Sequence, residues 1–482
     1  MRLFDLAIFV GSPLIICFVA NAVAAPAPLT PLATGLDASA YAGQFQSTVF
    51  ASGLSFPTSM QPHAGGILVG STQGGGFYSP SSNGHLLLLT DVDHDGVSDQ
   101  SLDLTPANGL PGGISSVRRA GDLLLVLSAA GTPTINVLRN GPTPTSPFES
   151  VGKIEIGFST SGWMHRSYAL AAHPSNNGDF DLYFNVGARG NDTSDAGNFA
   201  SHHATLNSNG FVTGLSNVTI DPESIYRMTI NDEGSSVSLD GLAKIAGGLR
   251  NAAGIAVHPQ TNDLYFQDNG MDGNSQNGHP PDLFGNTAYS LDTLHQISES
   301  DIGVNLPDGN FATDFFENTR PTPSIHGDPD ALTAFAPLGP FVPPDQRSLN
   351  ESEGASEIAF APDAFKSILG DGVFIGFHGQ GRIGAPDINA AIGNEENPVI
   401  FYSFDTGTYW HFIGTAEQAV GHLDGLLSTP DALFLSDIAA GSMSGPSAAG
   451  AIYRIAAIPE PSVVGLFALV AVGLVRRRNV ES

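Results

Sequence analysis

Cysteine is all but missing from this chain. Its 482 residues hold one, Cys17, inside an N-terminal apolar segment that reads as an export signal. The mature protein then has neither disulfides nor thiolate chemistry. Positive charge is scarce as well: 18 Lys and Arg stand against 47 Asp and Glu, a formal net charge of −29. Nucleic-acid binding rests on clustered cations, so that class is set aside, and anionic lipid surfaces are disfavoured. An acidic balance of this size fits an exported, soluble protein with divalent-cation sites. The C-terminal apolar run, Val463 to Val475, is thirteen residues long, against about 20 for a membrane span.

Glycine and proline are plentiful, at 57 and 33 residues, and they separate many short apolar runs. That is the composition of turn-rich β structure. One pattern recurs from Gln44 to Ile455: a loop ending in Gly or Pro, an apolar strand, a turn, a second strand. Phe56–Met60 leads to Gly66–Val69, Leu110–Ile114 to Asp122–Val126, and Tyr168–Ala171 to Leu182–Phe184. Ala253–His258 leads to Leu264–Gln267, Ser356–Phe360 to Val373–Ile375, and Leu423–Leu427 to Ala432–Asp437. Six copies predict an all-β fold, a six-bladed β-propeller over residues 44–456 with long inter-blade loops. The longest loop, Met271 to Ser356, is expected to pack over one face. One short helix is expected over Pro362 to Leu369, where Phe365, Ile368 and Leu369 share a face.

The two ends read as processing segments. Residues 1–24 fit a secretory signal peptide: Arg2, an apolar run from Leu6 to Ala20, then Ala22-Val23-Ala24. Ile16 precedes Cys17 where a lipoprotein would place a small residue. In the tail, 457–482, Pro459-Glu460-Pro461-Ser462 is followed by the apolar run and then Arg476-Arg477-Arg478, which would hold that end on the cytoplasmic side. The tail resembles the PEP-CTERM sorting signal of Gram-negative bacteria. That resemblance implies recognition and removal by an exosortase, transient contact of a short hydrophobic helix (463–475) with the inner membrane, and delivery to the cell surface or extracellular matrix. The alternative is a weak membrane anchor.

Asp91-Val92-Asp93-His94-Asp95-Gly96-Val97-Ser98-Asp99 matches the first nine positions of an EF-hand-type calcium loop. Asp91, Asp93, Asp95 and Asp99 stand at positions 1, 3, 5 and 9, and Gly96 supplies the sharp turn. Position 12 is Leu102, so the bidentate glutamate is absent. Four close carboxylates repel one another unless a cation lies among them; the alternative is a solvated acidic turn.

Gly247 to Gly270 organises the rest. Arg250-Asn251 sets a planar guanidinium beside an amide at the mouth of a strand, which suits a carboxylate or quinone oxygen. The alternative is a loop arginine paired with a nearby aspartate. Gly248-Leu249-Arg250-Asn251-Ala252-Ala253-Gly254 resembles a motif of the pyrroloquinoline-quinone-dependent glucose/sorbosone dehydrogenase family. His165-Arg166-Ser167 with Leu182 to Asn191 is similar to that family's catalytic-histidine segment and the turn that follows it. Asp371 to Gly379 resembles its sorbosone-type strand. The resemblance, over roughly residues 50 to 455, implies a six-bladed propeller that oxidises an aldose or related sugar aldehyde with PQQ, with calcium near the quinone. It implies His165 as the base, because a neutral imidazole can take the hydroxyl proton as hydride leaves C1. It implies cofactor contacts from Arg250, Asn251, Arg189 and Asn191; Arg382, which follows His378-Gly379, is expected as a third cation. Trp163 is expected either to stack on a ligand or to pack. The rival is a non-catalytic, calcium-stabilised propeller acting as a surface module in an exopolysaccharide matrix.

Overall fold

The computed structural model describes residues 41, 43–175, 178–190, 202–247, 249–269, 292–302, 354–378, 399–413, 425–438 and 450–459, and the backbone of 336–340. The signal segment 1–24, the tail from 460 onward, most of 271–356, Asn191 and Arg382 lie outside them. Among the described residues no helix is long and apolar enough to cross a membrane.

The fold is a six-bladed β-propeller. Its six sheets follow chain order around an axis. The innermost strands are Met60–His63, Ile114–Ala120, Leu170–Pro174, Ile255–Val257, Ala355–Phe360 and Gly425–Ser428, and each touches the next around a closed ring. All six expected strand pairs are present. The second blade's first strand starts later than the sequence pattern suggested. Leu110–Pro111 instead pairs with Asn83–Thr90 of blade 1, because the chain must finish its crossing between blades before turning inward.

Each blade buries both faces, one against each neighbour, so its middle strands are buried throughout and mostly apolar rather than alternating. Leu123–Ser128, Gly372–Phe377 and Ala432–Asp437 are buried at every position. Among the described residues a hydrophobic cluster fills each of the six blade junctions. Glycine serves this packing where backbones abut. A Cβ on Gly254, the last residue of the Arg-Asn motif, would stand 2.0 Å from the Ser356 carbonyl oxygen of the next blade.

The ring closes through an N-terminal strand. Phe45–Leu54 pairs antiparallel with Gly450–Ala457 and completes blade 6 beside Gly425–Ser428 and Ala432–Asp437. Blades 2 and 3 are interleaved. After Glu149–Phe158 of blade 2 the chain makes Leu170–Pro174 and Phe180–Val186 of blade 3. It then returns to blade 2 for Ala204–Gly210 and Val218–Ile220 before finishing blade 3 with Ser224–Asp232 and Val237–Gly247. The expected helix forms over Asp363–Leu369 after Pro362 and buries Phe365 and Leu369, with Ile368 partly buried against the same cluster.

Candidate functional site

All six inner strands run the same way, and at the face where they begin lies a cavity of about 370 Å³. Residues just before or at the start of the inner strands line it, among them Thr58, Ser115, Ala169, Ala253, Ala355 and Gly425. Trp163, His165 and Arg166 join them from the loop between blades 2 and 3, with Asn251 and Asn269 from blade 4 and His378 from blade 5.

Three separated sequence segments meet at His165. The His165 N–H donates to the Ala188 carbonyl at 3.1 Å, and the Met164 N–H to the Arg189 carbonyl at 2.8 Å. In return the Gly187 N–H donates to the Arg166 carbonyl at 2.9 Å, and the Ala188 N–H to the Arg250 carbonyl at 2.8 Å. The turn Gly187–Arg189 is thus clamped between the histidine loop and the Arg-Asn loop. A Cβ on Gly187 would meet His165 Cβ at 2.7 Å and the Arg250 carbonyl oxygen at 3.0 Å, so only glycine lets the loops approach this closely. Asn185 fixes the far side: its Oδ1 accepts the N–H groups of Tyr168 and Ala169, both at 2.9 Å.

His165 is 9% exposed. Burial, and after it the positive charge of Arg250, hold its imidazole well below the ordinary histidine value, so the ring is neutral at pH 7. Its Nε2 has no hydrogen-bond partner among the described residues. The same holds for Trp163 Nε1, Ser115 Oγ and Asn251 Oδ1, all on residues that line the cavity. A buried polar atom left unsatisfied costs about 1–3 kcal/mol, and native structures rarely carry four on one wall without a ligand or water completing them.

The expected cofactor residues separate. Asn251 is on the wall; its Nδ2 donates to Asn269 Oδ1 at 2.7 Å, and its N–H to Asp268 Oδ1 at 2.8 Å. Arg250 is 2% exposed and lies behind the wall, where its charge acts on His165. Arg189 sits on the clamped turn with its guanidinium beside Gly162. Asn191 and Arg382 lie outside the described residues. Trp163 packs, stacked on Phe158 at 4.4 Å, while still lining the cavity.

The floor is an ion pair that sequence reading did not find. Arg118 and Glu357 belong to the inner strands of blades 2 and 5, which face each other across the axis, and their charged groups are in direct contact. Ser59 accepts from Arg118 Nη1 at 2.8 Å, and Glu357 Oε2 accepts the Leu426 N–H at 3.2 Å. Burial pushes the Glu357 carboxyl above its ordinary value, and Arg118 opposes the shift. The pair also lines a second hollow of about 440 Å³ towards the other face, so it stands between the two.

The acidic loop lies apart, on blade 1 between Asn83–Thr90 and Gln100–Asp103. Asp91, Asp93 and Asp99 bring carboxylate oxygens within 4.8 Å of one another. Asp95 is not in the group; its Oδ1 accepts the Val97 N–H at 2.8 Å. Asp103 is engaged elsewhere, with His85 at 2.8 Å.

A planar quinone fits the upper cavity in size and in hydrogen-bond demand, since pockets for such ligands span about 300–1,000 Å³ and are mostly apolar with a few polar groups. Arg118 is committed to Glu357, so the quinone's carboxylates would look to Arg166, whose Nη1 already donates to the Ala129 and Gly131 carbonyls.

No family model matches this chain, and no curated protein does. Solved structures do. An iodide structure of the Trichoderma reesei Carbohydrate-Active Enzymes Family AA12 protein aligns over 90% of this chain and 99% of its own, with a TM-score of 0.52 and 14% identity. A calcium structure of the same fungal family aligns over 91% and 100%, at 0.49 and 15%. The apo-form of the soluble aldose sugar dehydrogenase of Escherichia coli aligns over 86% and 100%, at 0.45 and 13%. At such identity it is the fold that is shared: the first of these supports, over nearly its whole length, the propeller described above.

Proposed function

We propose that this chain is an exported quinone-dependent sugar dehydrogenase that oxidises an aldose or related sugar aldehyde at the upper cavity. The observation that carries the reading is His165: a buried, neutral imidazole with an uncommitted Nε2, fixed by Gly187 and Asn185 in the wall of a ligand-sized cavity. Such a nitrogen can take the proton of a sugar hydroxyl. Burial, and after it the charge of Arg250, keeps the ring unprotonated at neutral pH. Asn251, Ser115 and Arg166 would hold the cofactor's polar edge. When bound, a quinone supplies the two-electron acceptor that this chain's side chains lack. The aldose dehydrogenase and AA12 names attached to proteins of similar fold agree with this reading. Asp91, Asp93 and Asp99 would bind calcium as a separate, stabilising site. The segment 1–24 would direct export, and the tail 457–482 would be cut by an exosortase at the inner membrane, leaving the protein at the cell surface.

The test is reconstitution of the purified mature chain with PQQ and calcium, followed by dye reduction on adding aldoses. His165→Ala should bind quinone normally and lose about 100-fold or more in turnover, while Asn251→Ala should weaken quinone binding. No quinone uptake at micromolar concentration would overturn the reading. A non-catalytic matrix module would then take its place, a reading favoured by the commitment of Arg118 to Glu357.

A further inference from the structure

The mouth of the upper cavity carries a fixed aromatic corner, and we propose that it is a platform for a second sugar unit, so that the substrate is the end of a neutral oligosaccharide. The inference rests on the sugar-oxidising reading of the same cavity. Tyr78 and Met164 line the cavity and yet are 45% and 51% exposed, which places them at its opening. Tyr78 is held there. Phe77 meets it edge-on at 4.9 Å and Tyr168 at 6.2 Å, and Phe77 in turn packs on Phe56 at 6.0 Å. Tyr168 is anchored as well, its hydroxyl donating to the Met164 carbonyl at 3.2 Å.

A large ring kept half in water by its own supports loses little freedom when a ligand covers it. Tyrosine offers an apolar body with a polar tip. A pyranose offers the matching pair, a face of C–H bonds and a rim of hydroxyls. Space points the same way. About 370 Å³ must take both the cofactor and the reacting sugar, so any further unit lies outside, over Tyr78. Charge narrows the class: a chain of net charge −29 repels polyanionic glycans such as uronic-acid polymers, leaving neutral ones.

The test is calorimetric binding of gluco-oligosaccharides of one to four units to the quinone- and calcium-loaded protein, alongside oxidation of the monosaccharide. Wild type should gain about fivefold or more in affinity from one unit to two. Tyr78→Ala should lose that gain between one unit and two, and Tyr78→Trp should keep it. Oligogalacturonides of equal length should bind more weakly than the neutral series. Affinity independent of length in wild type, or a gain that survives Tyr78→Ala, overturns the proposal. If no sugar is oxidised, the dehydrogenase reading fails, and the binding series still decides whether the platform exists.

Discussion

One methyl group at Gly187 would test the site's geometry. The Cβ of Gly187→Ala would stand 2.7 Å from His165 Cβ and 3.1 Å from the His165 carbonyl oxygen. Carbon atoms in contact prefer about 3.5–4.0 Å, so His165 must retreat by about 1 Å. The backbone at Gly187 does not have a positive φ, so the cost is steric and not conformational. Overpacking of this kind costs about 1–3 kcal/mol, too little to unfold a propeller with six interblade cores. Misplacing a catalytic group by about 1 Å can cost about 100-fold in rate. Denaturant unfolding should therefore show a modest loss while sugar oxidation falls by about two orders of magnitude. Gly157→Ala is the control, because its Cβ would meet only the Thr205 carbonyl oxygen at an ordinary 3.7 Å. Wild-type turnover in Gly187→Ala would refute the idea that this turn positions His165.

Three further expectations follow from the same geometry. Calcium should raise the melting temperature, because a ligand bound only by the folded form stabilises it; Asp93→Ala or Asp99→Ala should abolish the rise and Asp95→Ala should leave most of it, whereas indifference to a chelator would refute the site. His165 is depressed in the folded state by burial and Arg250, so below pH 6.5 the unfolded chain binds a proton that the folded chain refuses. That contribution to stability is intact above pH 6.5 and is lost as pH falls towards the folded value, and His165→Gln should flatten this part of the stability–pH curve. At the axis, Glu357→Leu alone leaves a partly buried Arg118 without its carboxylate and should cost about 3 kcal/mol, while adding Arg118→Met should recover most of it, as a double-mutant cycle in denaturant would show.

The architecture was legible because a propeller repeats its own instruction. Apolar strand, turn, apolar strand appears six times, and each copy marks the inner and second strands of a blade, in blade 2 with the inner strand starting later, at Ile114. The closing strand Phe45–Leu54 was not legible. Its partner, Gly450–Ala457, lies at the other end of the chain, and alternation within either strand does not say which edge it covers. The return of the chain from blade 3 to blade 2 was hidden for the same reason. His165, Gly187 and Arg250 could be named from motif resemblance. What sequence could not give was depth: Arg250 and Asn251 are neighbours, yet Asn251 reaches the cavity wall and Arg250 sits behind it, where its charge adds to burial in keeping His165 neutral.

The axial ion pair shows what signal was present and went unread. Arg118 lies in Ile114–Ala120 and Glu357 in Ala355–Phe360, both short strands whose other members are mostly apolar or small. A charge at a buried strand position is costly unless it is paired, so each residue required an opposite charge somewhere. They lie 239 residues apart, and nothing local joins them. Closing six copies into a ring supplies the missing step, because the second and fifth positions are then opposite. The fold thus predicts the pair once the repeat number is known. The pair in turn places the cavity floor at mid-axis and leaves the cavity on the face where His165 stands.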